Sequence, residues 1–159
     1  MRPEIITLLA VIVGAVVSFV SSLSIQAWLH HRERKSLQGA LVGEISAILE
    51  IISRRKFIPN LQQVIARIEQ GEVSTPFVAT VTQEYFSVYK SNVSRLGLLR
   101  HPLPQKIATF YTQCFAILED LKISPTPITS QERLMMLKEL LGLFHSTTSL
   151  GEEIVKISA

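Results

Sequence analysis

The chain has a single cysteine, Cys114, in 159 residues. One thiol builds neither a disulfide framework nor a cysteine metal cage. Glycine and proline number seven each, too few for a collagen-like or low-complexity segment. Charged residues make up 18%, which excludes a solvated disordered tail. The net charge of +3 is too small and dispersed to point to nucleic acid. There is no Gly-rich phosphate loop, no Gly-x-Ser-x-Gly elbow and no His/Cys ligand spacing. The reading therefore calls for no cofactor and no metal.

What is present is grease in one place. Ile5 to Leu29 is 25 residues without a charge, 18 of them apolar. As a helix it is about 37 Å long, against a hydrocarbon core of about 30 Å. Fourteen Ile, Leu, Val and Phe side chains favour insertion by several kcal/mol. Ser24-Ile25-Gln26-Ala27 offers a passable signal-peptidase site, but the run exceeds the usual 7–15 apolar residues of a signal. The flanks set the orientation. Arg2 and Glu4 precede the run, while His30-His31-Arg32-Glu33-Arg34-Lys35 follows it. Positive charge stays inside, so residues 1–4 are expected outside, 5–29 across the bilayer and the rest in the cytosol. Trp28, Arg32, Arg34 and Lys35 then form the interface belt, with anionic headgroups as natural neighbours. Within the span, Ala10, Gly14, Ser18 and Ser22 fall four apart. Such a ladder lets two backbones approach closely where lipid supplies no hydrophobic drive. A heptad stripe through Thr7, Val11, Gly14, Ser18, Ser21 and Ile25 says the same, and a ring of copies would turn Ser18, Ser22 and Gln26 to a lumen.

Beyond the span the periodicity is helical. Leu37, Leu41, Ile45, Ile48 and Ile52 form a stripe, with Glu33, Glu44, Glu50 and Arg54 off it. Residues 30–58 read as a stalk continuing the span into a first bundle helix that Pro59 ends. Asn60 caps a short helix, 61–70, with Gly71 as its stop. Residues 77–82 have strand composition but no partner, so they read as a loop or helix start. A helix carrying Tyr85, Phe86, Tyr89, Val93 and Leu96 runs from about Thr82 to Leu99. Pro104 opens another, bearing Ile107, Phe110, Tyr111, Cys114, Ile117, Leu118 and Leu121. After the stiff Ser124-Pro-Thr-Pro127 loop, Thr129 and Glu132 make a capping box. The last helix, from Ser130 toward Lys156, turns Leu134, Leu137, Leu141, Phe144, Thr148 and Ile154 inward. The fold class is all-α: one transmembrane helix continuing into an antiparallel bundle over 59–159.

Few residues suggest chemistry. Cys114 sits among apolar neighbours and reads as core. His30 and His31 point about 100° apart on a helix, so they do not share a metal as i,i+4 ligands would. His145 reads as a boundary residue. Arg54-Arg55-Lys56 reads as a solvated helix end. Glu119-Asp120 and Glu152-Glu153 are adjacent pairs, not a convergent dyad. Arg95 and His101 have the loose spacing of the Arg and His that HEPN-type helical RNases carry at a helix end. Nine Arg and four His produce roughly 0.5–0.7 such spacings by chance, and cations at 95 and 100 also suit a helix C-terminus.

One apolar span, a basic flank and a small helical bundle resemble bacterial single-pass inner-membrane proteins. The layout also looks loosely like the membrane-pore proteins that accompany some RNA-targeting CRISPR effectors, which join one span to a divergent HEPN-like bundle. The resemblance implies assembly as rings, with Arg95 and His101 as its residue-level echo. The reading from the residues is a non-enzymatic anchored scaffold, its partners being the bilayer and either further copies of the chain or a larger membrane complex. Nucleic acid is not expected among them. A ring-forming pore and a membrane-tethered RNase are the alternatives.

Overall fold

The computed structural model describes residues 3–72, 83–122 and 129–158. The expectations for 77–82 and for the 124–127 loop lie outside them, as do the side chains of Thr7, Ala10 and Val11. Five helices account for most of the described chain, and no strand occurs among the described residues: α1 (Pro3–Arg54), α2 (Phe57–Glu69), α3 (Ser87–Asn92), α4 (Leu103–Asp120) and α5 (Ser130–Ser158). Two compact units are distinguished, residues 1–37 and 38–159.

From Val17 to Leu29, α1 carries apolar side chains around its whole girth. Val17, Phe19, Val20, Leu23, Ile25, Trp28 and Leu29 are each at least half exposed. At 3.6 residues per turn they leave no arc wider than about 80° uncovered. Two of the hydroxyls in this stretch bond to their own helix. Ser22 Oγ donates to the Ser18 carbonyl and Ser24 Oγ to the Val20 carbonyl, both at 2.9 Å.

The second unit is a bundle. Its α1 portion buries Leu41, Ile45 and Ile48, as the apolar period requires. The helix ends at Arg54, earlier than proline punctuation suggests. Lys56 takes a left-handed conformation (φ 52°) and α2 starts at Phe57. Pro59 therefore stands in the first turn of α2, where its missing N–H leaves no helical bond unmade. Asn60 is not the cap. Its own N–H donates to the Lys56 carbonyl at 3.0 Å, so it is already helical. The stop at Gly71 is as expected. Gly71 has φ 80°, its N–H donates to Ile68 O, and the Glu72 N–H reaches back to Arg67 O, both at 3.0 Å. This paired closure satisfies carbonyls that the last turn leaves open.

Helix α5 packs on both α2 and α4. Lys106 pairs with Glu153 and Gln113 with Ser146, so partner numbers fall along α5 as they rise along α4. Phe57 meets Phe144 and Glu69 meets Lys138 in the same sense. Both packings are antiparallel. Phe57, Leu61 and Ile65 of α2, Ile117 of α4, and Leu140 and Phe144 of α5 form one buried cluster. Helix α5 starts on the expected capping box. The Thr129 N–H and hydroxyl donate to Glu132 Oε2 at 2.8 Å, and the Glu132 N–H donates back to Thr129 Oγ1 at 3.2 Å. Pro104 falls at the second rather than the first position of α4, which begins at Leu103.

Two further expectations are corrected. The region expected as one helix from 82 to 99 is three pieces: a 3-10 turn (Gln83–Phe86), α3, and a second 3-10 run (Val93–Leu98). And α5 buries Leu140, Phe144, Thr147, Gly151 and Ile154, whereas Leu134, Leu137, Leu141 and Thr148 are only half-buried. The face is rotated because α5 comes closest at its small residues. A Cβ added at Gly151 would lie 2.8 Å from the Phe110 ring and 2.9 Å from Leu49. Thr147 fits by donating its hydroxyl to the Leu143 carbonyl at 2.7 Å.

Gly151→Ala should therefore lower bundle stability by about 1–3 kcal/mol through overpacking. Gly142→Ala, on the exposed side with open space around it, should raise it by about 0.5–1 kcal/mol through helix propensity. Denaturant melts of the two variants, followed by circular dichroism on the detergent-solubilised chain, should move in opposite directions.

Candidate functional site

The interface belt is built on α1 by helical spacing alone. Trp28 and Arg32 are one turn apart, and the Arg32 guanidinium carbon lies 5.5 Å from the Trp28 ring centroid. That is cation–π distance. Lys35 follows at the seventh position, on the same face and exposed. Arg34 points elsewhere: its Nη2 donates to His31 Nδ1 at 3.0 Å. His30 and His31 are both exposed. The belt is thus one aromatic–cation stripe, Trp28–Arg32–Lys35, beside a separate Arg34–His31 pair. Of the small-residue ladder, Gly14, Ser18 and Ser22 are exposed.

Inside the bundle the densest polar feature is one that the apolar pattern leaves out. Glu44, expected off the buried stripe with the solvated acids, is half-buried. Its carboxylate accepts the Val88 N–H at 2.7 Å, the Tyr89 N–H at 3.0 Å and the Tyr111 hydroxyl at 2.5 Å. The two amides belong to the first turn of α3, whose own residues supply no side-chain cap. A carboxylate on α1 thus does the work of an N-cap across 44 residues of sequence. It also accounts for the break between Phe86 and Ser87, because α3 starts where its first-turn amides meet Glu44. Tyr111 is fully buried. Its ring stacks on Tyr89 at 3.9 Å between centroids and meets Phe86 and Phe110 edge-on. Burial, then the bond to Glu44, pushes the Tyr111 phenol far above its ordinary value. The arrangement holds structure rather than poising a group for proton transfer at neutral pH.

Cys114 is buried, and burial pushes its thiol up to about 12. It lines a partly open apolar cleft of about 40 Å³ with Ile48, Phe57, Phe86 and Phe144 among its walls. Ligand pockets are roughly 300–1,000 Å³, so this space is a packing void. Among the described residues no three His, Cys, Asp or Glu side chains converge on a metal position. The acidic pairs are used singly: Glu119 bonds Lys122 at 2.6 Å and Glu153 bonds Lys106 at 2.8 Å. Asp120 is raised by burial and by Glu139 and Glu119 nearby. Arg54 reaches back to Glu50 at 2.6 Å, the behaviour of a solvated helix end.

Arg95 and His101 are both exposed. Arg95 lies in the second 3-10 run, not at an α-helix end, and its Nη1 donates to Asn92 Oδ1 at 3.1 Å. His101 lies in the turn before α4. Neither lines the apolar cleft. No protein-family model, curated protein or solved structure matches the chain.

Glu44→Ala leaves three donors without their acceptor and should destabilise the bundle by about 2–4 kcal/mol. Exchange protection over 83–98 should fall before the rest of the bundle is affected. The Tyr111 phenol ionises near pH 10 in the unfolded chain and far higher in the folded one. Its contribution is complete below pH 10 and is lost as pH rises beyond it. Tyr111→Phe should cost about 1.5–3 kcal/mol at pH 7 and flatten the alkaline decline, both readable from denaturant melts between pH 7 and 11.

Proposed function

We propose that this chain is a single-pass membrane protein of the bacterial inner membrane. Its N-terminus faces outward, and its helical bundle is a cytosolic interaction module. The observation carrying the reading is the all-round exposure of apolar side chains from Val17 to Leu29. A protein partner covers one face of a helix, whereas lipid covers every face. The helix is long and apolar enough to cross a membrane. Positive charge at Arg32, Arg34 and Lys35 supports the orientation. Intrahelical bonding of Ser22 and Ser24 supports residence in hydrocarbon, since each hydroxyl proton already has an acceptor.

The mechanism is placement. Anchoring confines the bundle to a thin layer and restricts its orientation, which raises its effective concentration toward other membrane-bound molecules. Exposed Gly14, Ser18 and Ser22, with Ala10 continuing the ladder in the sequence, support association of spans. The bundle's polar groups support a non-enzymatic role: Glu44 is consumed in bonding α3 and Tyr111, and the Cys114 thiol is protonated at neutral pH.

Alkaline carbonate should leave the chain in the membrane, and protease added from outside should leave the bundle intact. Extraction by carbonate, or digestion from outside, overturns the reading. The protein mass of the particle extracted in mild detergent, with bound detergent subtracted, should exceed the 17.8 kDa of one chain. Gly14→Ile should shift it toward monomer without reducing insertion. A wild-type monomer at high concentration removes the self-association. Dye release from vesicles would favour the pore instead, and RNA cleavage that is lost in His101→Ala would favour the nuclease.

A further inference from the structure

We infer that the Trp28–Arg32–Lys35 stripe is a binding site for the phosphate headgroup of anionic phospholipid, an inference that rests on the membrane reading above. Three observations converge on these residues. The first is spacing. Positions 28, 32 and 35 repeat at four and three, so the indole and two cations share one face of α1. The second is preorganisation. The Arg32 guanidinium carbon lies over the indole, 5.5 Å from the ring centroid, so the ring restrains the side chain beside it. A guanidinium edge matches two phosphate oxygens at once, where an ammonium offers a point charge. The third is the division of labour in the belt. Arg34 spends an N–H on His31 Nδ1, while Arg32 and Lys35 stand exposed on the indole's face.

The occupant follows from charge and depth. Indole rings settle at the level of the headgroups. One turn beyond Trp28 is about 5.4 Å along the axis, which places Arg32 where a phosphodiester sits. A zwitterionic headgroup offers the same phosphate beside its own cation, which the two side chains repel. An anionic headgroup offers the phosphate without it.

Trp28 is the chain's one tryptophan, so its fluorescence reports this site and no other. The experiment places the full chain in phosphatidylcholine vesicles containing one fifth phosphatidylglycerol, with bromine on the acyl chains of one lipid class at a time. Quenching of Trp28 then measures which lipid lies beside it. About 1 kcal/mol per basic residue near the surface corresponds to roughly five-fold enrichment. Brominated phosphatidylglycerol should therefore quench two- to five-fold more per mole than brominated phosphatidylcholine. The preference should fall toward one in Arg32→Gln/Lys35→Gln and persist in Arg34→Gln. Equal quenching by both lipids overturns the site while leaving the span in the bilayer. Quenching by neither shows that Trp28 is not in the membrane, and the membrane reading fails with it. Inorganic phosphate at matched ionic strength should leave the preference unchanged. If it removes the preference, the stripe binds free phosphate rather than lipid.

Discussion

Water does not tolerate a helix whose apolar side chains point in every direction. That constraint governs the first unit. A soluble helix hides one stripe against a neighbour and shows the other to solvent. From Val17 to Leu29 no face is wholly polar, because Ile25 and Leu29 fall on the same face as Ser18, Ser22 and Gln26. Hydrocarbon is the medium that satisfies all faces equally, and it imposes its own terms. The backbone must bond internally, and the hydroxyls must find acceptors close by. The helical backbone meets the first of these terms, and the Ser22 and Ser24 bonds meet the second for those two serines.

The bundle answers to the opposite constraint. Helices α2, α4 and α5 have one buried stripe each, and the stripes meet in a cluster around Phe57, Ile117 and Phe144. Against Phe110 and Leu49, α5 packs tightly enough that Gly151 has no room for a methyl group. The polar exception is Glu44, whose partial burial is compensated by three donors. Removing its partners would leave a half-buried carboxylate under-bonded, which is more damaging than the bonds themselves are stabilising.

Much of this arrangement is legible in the residue pattern, and the exceptions share a cause. Long apolar periods identify α1, α4 and α5, and the Thr129–Glu132 box and Gly71 mark ends by chemistry that acts over three or four residues. The Trp28–Arg32 contact is legible too, because i,i+4 neighbours on a helix must meet. What escapes is decided by distant atoms. Glu44 breaks the 82–99 region from another helix, and no local signal at Val88 announces its acceptor. The end of α1 turns on a left-handed Lys56, a conformation that glycine or asparagine usually advertises. The rotated face of α5 depends on Thr147 and Gly151, which carry little hydrophobic weight and matter because they are small.

The Glu44 contacts have a consequence for the order in which the chain takes shape. Residues 87–92 are too short to hold a helix by themselves, and their first-turn amides find an acceptor only after residue 44 has arrived. The segment is therefore a follower. It acquires its geometry from a scaffold already assembled, and it is the first piece to be released when that scaffold loosens.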